Sequence, residues 1–392
     1  MSRPVKLRMS RGHAVIRYVV NEAVDRAPGR YHPPAPHPLP FHRGMPGYAP
    51  APLVDAGELA RQVGVGTLLV KDQSRCFGLP AFKIVGASWA VDRAVSERLG
   101  LPQARTFVEL LERAEAVKPL RLVTATDGNH GRAVAHMAAV LGLDATIYVP
   151  RGTVQARIDG IESEGASLVV VDGSYDQTVA RAAQDAGERC AIVSDTSWPG
   201  YTSIPGAVIE GYASIMTEID EQAAALGAPP PDLVLVQSGV GALAAAVGAH
   251  YGNAARPILA SVEPDDAACT LESLAAGEIV TVPGPHRSIM AGLNCGTLSM
   301  IAWPVIQATF DLAVTVDDDR ARDAMRLLAG AGITSGESGA SGLAGLLALL
   351  TAPELEAPRE RFGIGAATSV LVFSTEGATD PDAYARVVGR PG

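Results

Sequence analysis

Between an apolar stretch ending at Val123 and a helical pattern running from Arg132 to Leu141, the chain reads Thr124-Ala125-Thr126-Asp127-Gly128-Asn129-His130-Gly131. A strand that turns into a helix through Gly, Asn and Gly leaves backbone N–H groups and short polar side chains at a helix N-terminus. That arrangement suits an anion or a polar ring. Asp127 is the odd member, because its carboxylate would sit beside whatever the turn holds. Taken alone, the run is a Gly-rich strand–helix turn capped by Asp and Asn; its weight comes from the segments around it.

Those segments alternate. Strands are expected at Thr67–Lys71, around Val123, at Ala145–Val149 and at Ser167–Val171, with helices at Phe82–Ala94 and Val154–Glu164. A second set follows: a strand at Leu233–Gln237, a helix from Gly241 to His250, and strands at Ile258–Val262 and Ser369–Ser374. Strand–helix alternation implies an α/β fold with parallel sheets and ligands at the carboxyl ends of the strands. Residues 28–52, rich in Pro and His, read as an extended arm packed on a surface. No repeat of solenoid length is visible.

At 392 residues the chain is long enough for two domains, and 47% hydrophobic residues with 41 glycines describe a well-packed α/β enzyme. A formal net charge of −10 without a dense basic stripe argues against nucleic acid as a partner. The basic Met1–Arg17 segment lacks an apolar core of signal-peptide length, and no apolar run is long enough to span a membrane. The expected location is cytoplasmic. Cys76, Cys190, Cys269 and Cys295 lack zinc-ligand spacing, so no metal is expected. They read as reduced thiols, with a Cys269–Cys295 bridge left open.

Two further segments bear on chemistry. In Leu233-Val234-Leu235-Val236-Gln237-Ser238-Gly239-Val240-Gly241-Ala242 a buried strand enters a glycine turn and an Ala-rich helix, a cup for a phosphate. Gly239, Gly241 and Ala244, with Glu263 ending the next strand, also fit a relaxed dinucleotide fingerprint, so a nicotinamide enzyme competes at this point. The other is Phe77-Gly78-Leu79-Pro80-Ala81-Phe82-Lys83-Ile84-Val85-Gly86-Ala87, where Lys83 is a lone cation among small and apolar residues at a helix start. A surface lysine is the ordinary reading. An amine in an apolar pocket, however, gives up its proton more easily, as a Schiff-base lysine must. Lysine, phosphate cup and polar turn together are what pyridoxal phosphate requires.

On these residues the chain resembles the tryptophan-synthase-β-like (fold type II) group of pyridoxal-phosphate enzymes and, within it, the diaminopropionate ammonia-lyases. The likeness extends through Phe41-His42-Arg43, Asp195-Thr196 with Trp198, Val262-Glu263-Pro264-Asp265, Ile289-Met290-Ala291-Gly292-Leu293, Ser335-Gly336-Glu337-Ser338-Gly339-Ala340 and Ser374-Thr375-Glu376-Gly377, from about residue 41 to about 380. The resemblance implies two open, parallel-sheet-centred domains with the cofactor in the cleft between them. The larger would be 1–85 plus 212–392 and the smaller 86–211.

It also implies roles. Lys83 forms the internal aldimine and removes the α-proton, and Asn129 bonds the ring hydroxyl oxygen. The amides of Gly239, Val240, Gly241 and Ala242 hold the phosphate. Glu337 belongs to the cofactor-binding set, and Ser374, with Thr375 as second choice, faces the pyridine nitrogen. Asp127 is the base on the face opposite Lys83, and Asp195 holds the distal ammonium of a small amino-acid substrate. The activity implied is elimination of ammonia from 2,3-diaminopropionate, giving pyruvate, in a homodimer for which Ala302–Ala308 could supply surface. Gln73 and Cys76 stand where the family tends to carry Glu and Arg, and Ala87-Ser88-Trp89 where it tends to show Gly and Tyr. These departures leave open a relative that eliminates from, or replaces a group on, another 3-substituted alanine: a dehydratase, racemase or synthase. A non-catalytic amino-acid-binding or NAD-binding protein is the remote alternative.

Overall fold

The computed structural model describes residues 15–389 except 28, 127, 174 and 254–256. Among these, eleven strands form two sheets: β1 (Tyr18–Val20), β2 (Leu53–Asp55), β3 (Thr67–Asp72), β4 (Arg121–Ala125), β5 (Asp144–Pro150), β6 (Ser167–Val171), β7 (Cys190–Ile192), β8 (Leu233–Gln237), β9 (Ile258–Pro264), β10 (Leu312–Val316) and β11 (Ser369–Ser374). The larger sheet has the order β1-β10-β9-β8-β11-β3-β2. Its interior pairs are parallel and its two edge strands antiparallel. The smaller sheet, β6-β5-β4-β7, is parallel throughout. The molecule is thus the α/β, two-sheet architecture expected. Every residue of β8, β9, β10 and β11 is buried, as parallel strands covered by helices on both faces require.

The expected strands all fall within observed ones. The strands that pattern reading passes over are β1, β2, β7 and β10; the first three have three residues each, too few to show a period. Residues 28–52 are not a wholly extended surface arm. Pro38–Arg43 is helical, the His37 ring accepts from Leu39 N–H at its start, and Leu39, Phe41 and His42 are buried. Phe41 meets Trp89 edge-on at 5.1 Å between ring centroids. In Ala302–Ala308, Ala302, Ile306 and Ala308 are buried in this chain's own core, while Pro304 is exposed and Trp303 and Val305 are half-buried.

Register brings the functional loops together. Ser374 pairs with Asp72, and Val372 with both Val70 and Leu235, so β3, β11 and β8 end along one edge. The chain leaves that edge towards Lys83, Thr375 and Gly239. In the smaller sheet β4 and β7 run parallel, Val123 beside Ile192, and their carboxyl ends lead to the 126–130 turn and to Asp195. The Lys83–Arg98 helix packs on the Ser203–Gly211 segment with two glycines facing the crossing. A Cβ on Gly86 would stand 2.7 Å from the Tyr212 ring, and one on Gly211 would stand 2.8 Å from the Val85 carbonyl.

Candidate active site

Lys83 opens its helix from a segment stitched to the end of β11. Ala81 bridges Glu376, Phe82 N–H donates to the Thr375 carbonyl at 3.1 Å, and Gly377 N–H donates to the Pro80 carbonyl at 2.9 Å. Before it, Cys76 and Leu79 close a tight turn in which Phe77 has φ 52°, a strained value for a bulky residue. The Lys83 side chain is 18% exposed, and its Nζ donates to Asp195 Oδ2 at 2.7 Å. Burial alone would push the Asp195 carboxyl up. The charges of Lys83 and His130 outweigh it and hold the group at about 2.

The 126–130 turn is pinned from within. Thr126 Oγ1 accepts from Gly128 N–H at 2.9 Å and from Gly131 N–H at 3.0 Å. The Thr126 methyl leaves no room for a side chain at 131, where a Cβ would meet Cγ2 at 2.2 Å. His130 Nε2 lies 2.8 Å from the Val193 carbonyl and so ties the turn to the strand leading to Asp195. Asn129 starts the following helix and donates through Nδ2 to Glu376 Oε2 at 2.5 Å. Asp127 lies outside the described residues.

Opposite, β8 ends at Gln237 and the chain turns through Ser238–Gly241 into the Ala242–Tyr251 helix. Gly241 has φ +90°, and a Cβ there would stand 2.8 Å from Ile306. A Cβ on Gly239 would press on the Gly292 carbonyl at 3.2 Å and on Cys295 Sγ at 3.3 Å. Among the described residues the amides of Gly239, Val240 and Gly241 have no acceptor, so they are free to take an anion where the helix dipole also favours one. Gln237 secures the surroundings: its Nε2 lies within reach of the carbonyls of Ser338, Gly339 and Phe373 and of Thr375 Oγ1.

These parts line one pocket, partly open to solvent, with about 670 Å³ of empty space counted out into the open solvent. Lys83, Asn129, Asp195, Gly239, Val240, Gly241, Ala242 and Thr375 all line it. Among the described residues, two sequence candidates do not. Ser374 is fully buried and donates to Ser335 Oγ at 2.8 Å, so of the two hydroxyls at the end of β11 only Thr375 faces the cavity. Glu337 is buried beside it, its carboxyl raised by burial and by the charge of Glu376. Glu376, His130, Gln237 and Ser338 also line the cavity and carry no role in the sequence reading. The signal for Glu376 was a charged residue two positions past the end of an apolar strand.

The dinucleotide alternative loses its acid. Glu263 is fully buried, its oxygens accept from Thr270 N–H at 2.6 Å and Leu271 N–H at 2.8 Å, and burial pushes it up to about 7. It caps the Cys269–Ala276 helix and has nothing left for a ribose. All four cysteines are free thiols.

Comparison with known proteins gives the chain's family. Residues 45–368 match the model of the family described as pyridoxal-phosphate dependent enzyme. The chain is 40% identical over 359 residues to the diaminopropionate ammonia-lyase of Escherichia coli K12, covering 89% of each chain. It is 36% identical over 367 residues to that of Salmonella typhimurium, covering 89% of this chain and 90% of the other. It superposes with a TM-score of 0.85, at 35% identity and over 96% and 97% of the two chains, on the Escherichia coli enzyme in complex with an aminoacrylate-PLP azomethine reaction intermediate. The chain belongs to the pyridoxal-phosphate dependent enzymes, and the diaminopropionate ammonia-lyases are relatives that it matches almost end to end.

Proposed function

We propose that the protein is a pyridoxal-phosphate dependent ammonia-lyase that converts 2,3-diaminopropionate and water to pyruvate and two ammonia molecules. The observation that carries this reading is the single cavity holding a lysine amine against a carboxylate, with a cup of unbonded glycine amides in the same wall. The residues present fit the cofactor. An amine is placed for covalent attachment, the cup accepts a phosphate and no larger side chain, and Asn129 and Thr375 offer polar groups to a ring. The cofactor supplies an electron sink for a bound amino acid that has lost its α-proton.

The chain's own groups do the rest. Gly239, Val240, Gly241 and Ala242 hold the phosphate through their amides. Asn129 bonds the ring oxygen, and Thr375 presents a neutral hydroxyl to the ring nitrogen. Lys83 holds the cofactor and then accepts the α-proton at Nζ. Asp195, paired with Lys83 before substrate arrives, is the carboxylate that takes the distal ammonium once Lys83 is engaged. Asp127 is assigned from the sequence as the proton acceptor on the opposite face, which would admit both enantiomers. The strands of one sheet all fall outside 86–211 and those of the other all within it, which supports 1–85 plus 212–392 and 86–211 as the two domains.

Among the described residues no helix is long and apolar enough to cross a membrane. Together with four free thiols, this supports a cytoplasmic location. Val108 and Leu111, exposed one turn apart on the Phe107–Ala116 helix, offer apolar surface for a second copy and so support the homodimer. Light scattering on the purified protein tests that state. The activity is tested by loading the protein with pyridoxal phosphate and supplying each enantiomer of 2,3-diaminopropionate. Pyruvate and ammonia are expected in a ratio of one to two. A loaded protein that makes no pyruvate overturns the lyase in favour of another 3-substituted alanine.

A further inference from the structure

Of the two carboxylates on the cavity wall among the described residues, Glu376 is the more deeply buried, 1% exposed against 4% for Asp195. It sits two residues beyond the end of β11 at the seam between the two sheets. Oε2 accepts from Asn129 Nδ2 at 2.5 Å and Oε1 from Ser338 N–H at 3.0 Å. Asn129 belongs to the turn leaving the smaller sheet and Ser338 to the loop before the Ser341–Thr351 helix, so one carboxylate fastens the two halves of the wall.

The chemistry of that contact is directional. An ionised carboxylate only accepts, whereas an amide side chain has one accepting and one donating end. Asn129 can therefore meet Glu376 only with its NH₂ end, and the orientation is enforced by charge-assisted hydrogen bonding away from water. The amide nitrogen keeps one further hydrogen for the cavity.

We propose that Glu376 is a positioning residue for the cofactor: it locks the Asn129 amide so that Nδ2, and not Oδ1, is presented to the ring oxygen. This rests on the pyridoxal-phosphate reading and on the place given to Asn129 in it. Glutamine at 376 has a single accepting atom. The Ser338 amide, fixed in the main chain, keeps that atom, and the new NH₂ group faces Asn129. Asn129 then turns over and sets Oδ1 against the ring oxygen, two acceptors face to face. The ring oxygen is better off keeping its own proton, and absorbance moves from the violet band of the bound cofactor to the near ultraviolet.

The experiment compares absorption spectra and cofactor dissociation constants of wild type, Glu376→Gln, Asn129→Ala and the double variant, each reconstituted with pyridoxal phosphate. In Glu376→Gln the ratio of near-ultraviolet to violet absorbance should rise, and cofactor binding weaken, by about tenfold, the equivalent of one hydrogen bond. In the Asn129→Ala background the second substitution should add nothing, because the effect runs through Asn129. Glu376→Asp, which keeps both accepting oxygens, should return part of the violet band, and it serves as the reporter if the glutamine variant does not fold. A wild-type spectrum in Glu376→Gln overturns the proposal, as do fully additive effects, which would mark Glu376 as a support for the Ser338 loop alone. Absence of the violet band from the wild type is a separate result and overturns the cofactor reading beneath it.

Discussion

Replacing Asp195 by Asn removes a carboxylate charge from beside Lys83 while keeping the volume of the side chain. Asp195 is 4% exposed and bonded to Lys83 Nζ at 2.7 Å. Its carboxyl lies at about 2 rather than the ordinary 3.8. At 1.36 kcal/mol per tenfold change in the proton equilibrium, that difference corresponds to about 2 kcal/mol of stability at neutral pH. Breaking a fully buried pair costs about 3–5 kcal/mol. The Lys83 side chain keeps 18% exposure to water, so the cost falls below the top of that range, towards the figure of about 2 kcal/mol from the proton equilibrium. The sign follows from the depressed value: the contribution is complete above 3.8 and drains away as pH falls towards 2. Urea unfolding of the cofactor-free proteins should therefore show Asp195→Asn about 2 kcal/mol less stable at pH 7 and pH 5, and about 1 kcal/mol less stable at pH 3. A gap below about 0.5 kcal/mol at pH 7, the scale of an exposed pair, would refute the pairing energetics. So would a gap undiminished at pH 3. The same variant tests the substrate role. Losing one charge-assisted contact to the distal ammonium should lower kcat/KM for 2,3-diaminopropionate by about 10- to 100-fold more than for serine, whose β-group is neutral. Equal losses on both would remove Asp195 from substrate recognition.

Lys83→Ala should bind the cofactor without covalent attachment, shown by loss of the violet band and of a borohydride-fixed adduct, and turn over no substrate. Gly131→Ala forces a Cβ to within 2.2 Å of Thr126 Cγ2 and 2.7 Å of Ile147 Cγ2. Overpacking of this kind should cost about 1–3 kcal/mol in thermal or urea unfolding, and it should weaken cofactor binding because Thr126 orders the turn; an unchanged melting temperature would contradict the geometry. Asp127→Asn should depress kcat on one enantiomer of 2,3-diaminopropionate far more than on the other, and equal losses would end the two-face assignment.

What the sequence made legible was whatever is written locally. The strand–glycine–helix turns at 126–131 and 237–242 and the lysine at a helix start are short-range patterns, and each stands in the cavity wall. The choice between Ser374 and Thr375 was not legible. Neighbouring residues at a strand end point to opposite sides, but which side is the cavity depends on how β11 is seated between β8 and β3. Pairings across the chain were equally hidden: Lys83 and Asp195 are 112 positions apart, and Asn129 and Glu376 are 247 apart. Asp195 was reached through family resemblance. Glu376 stood among the quoted residues without a role, because no local spacing marks a carboxylate that meets its partner only after two sheets have packed.

The departures from the family pattern take on a different meaning once their partners are visible. Gln73 and Cys76, expected as an acid and an arginine, contact one another: Cys76 Sγ lies 2.7 Å from Gln73 Oε1, and the two residues are 1% and 3% exposed. Their contact is neutral, with burial pushing the Cys76 thiol up so that it stays protonated. That place is already charged. Lys71, wholly buried, donates to Glu218 at 2.8 Å and to the Ala51 carbonyl at 2.6 Å, and Glu218 lines the same small cavity as Gln73 and Cys76. A second ion pair there would have to be desolvated beside the first, at several kcal/mol per ion. Ser88 and Trp89 are tied into the same region. Ser88 Oγ lies 3.1 Å from His42 Nε2, and Trp89 packs on Phe41, both partners coming from the buried Pro38–Arg43 helix. None of Gln73, Cys76, Ser88 and Trp89 lines the catalytic cavity. The substitutions therefore fit one another and the N-terminal helix behind the lysine. They are adjustments of support behind the lysine, apart from the cavity walls that carry Asp195, Asn129 and Thr375.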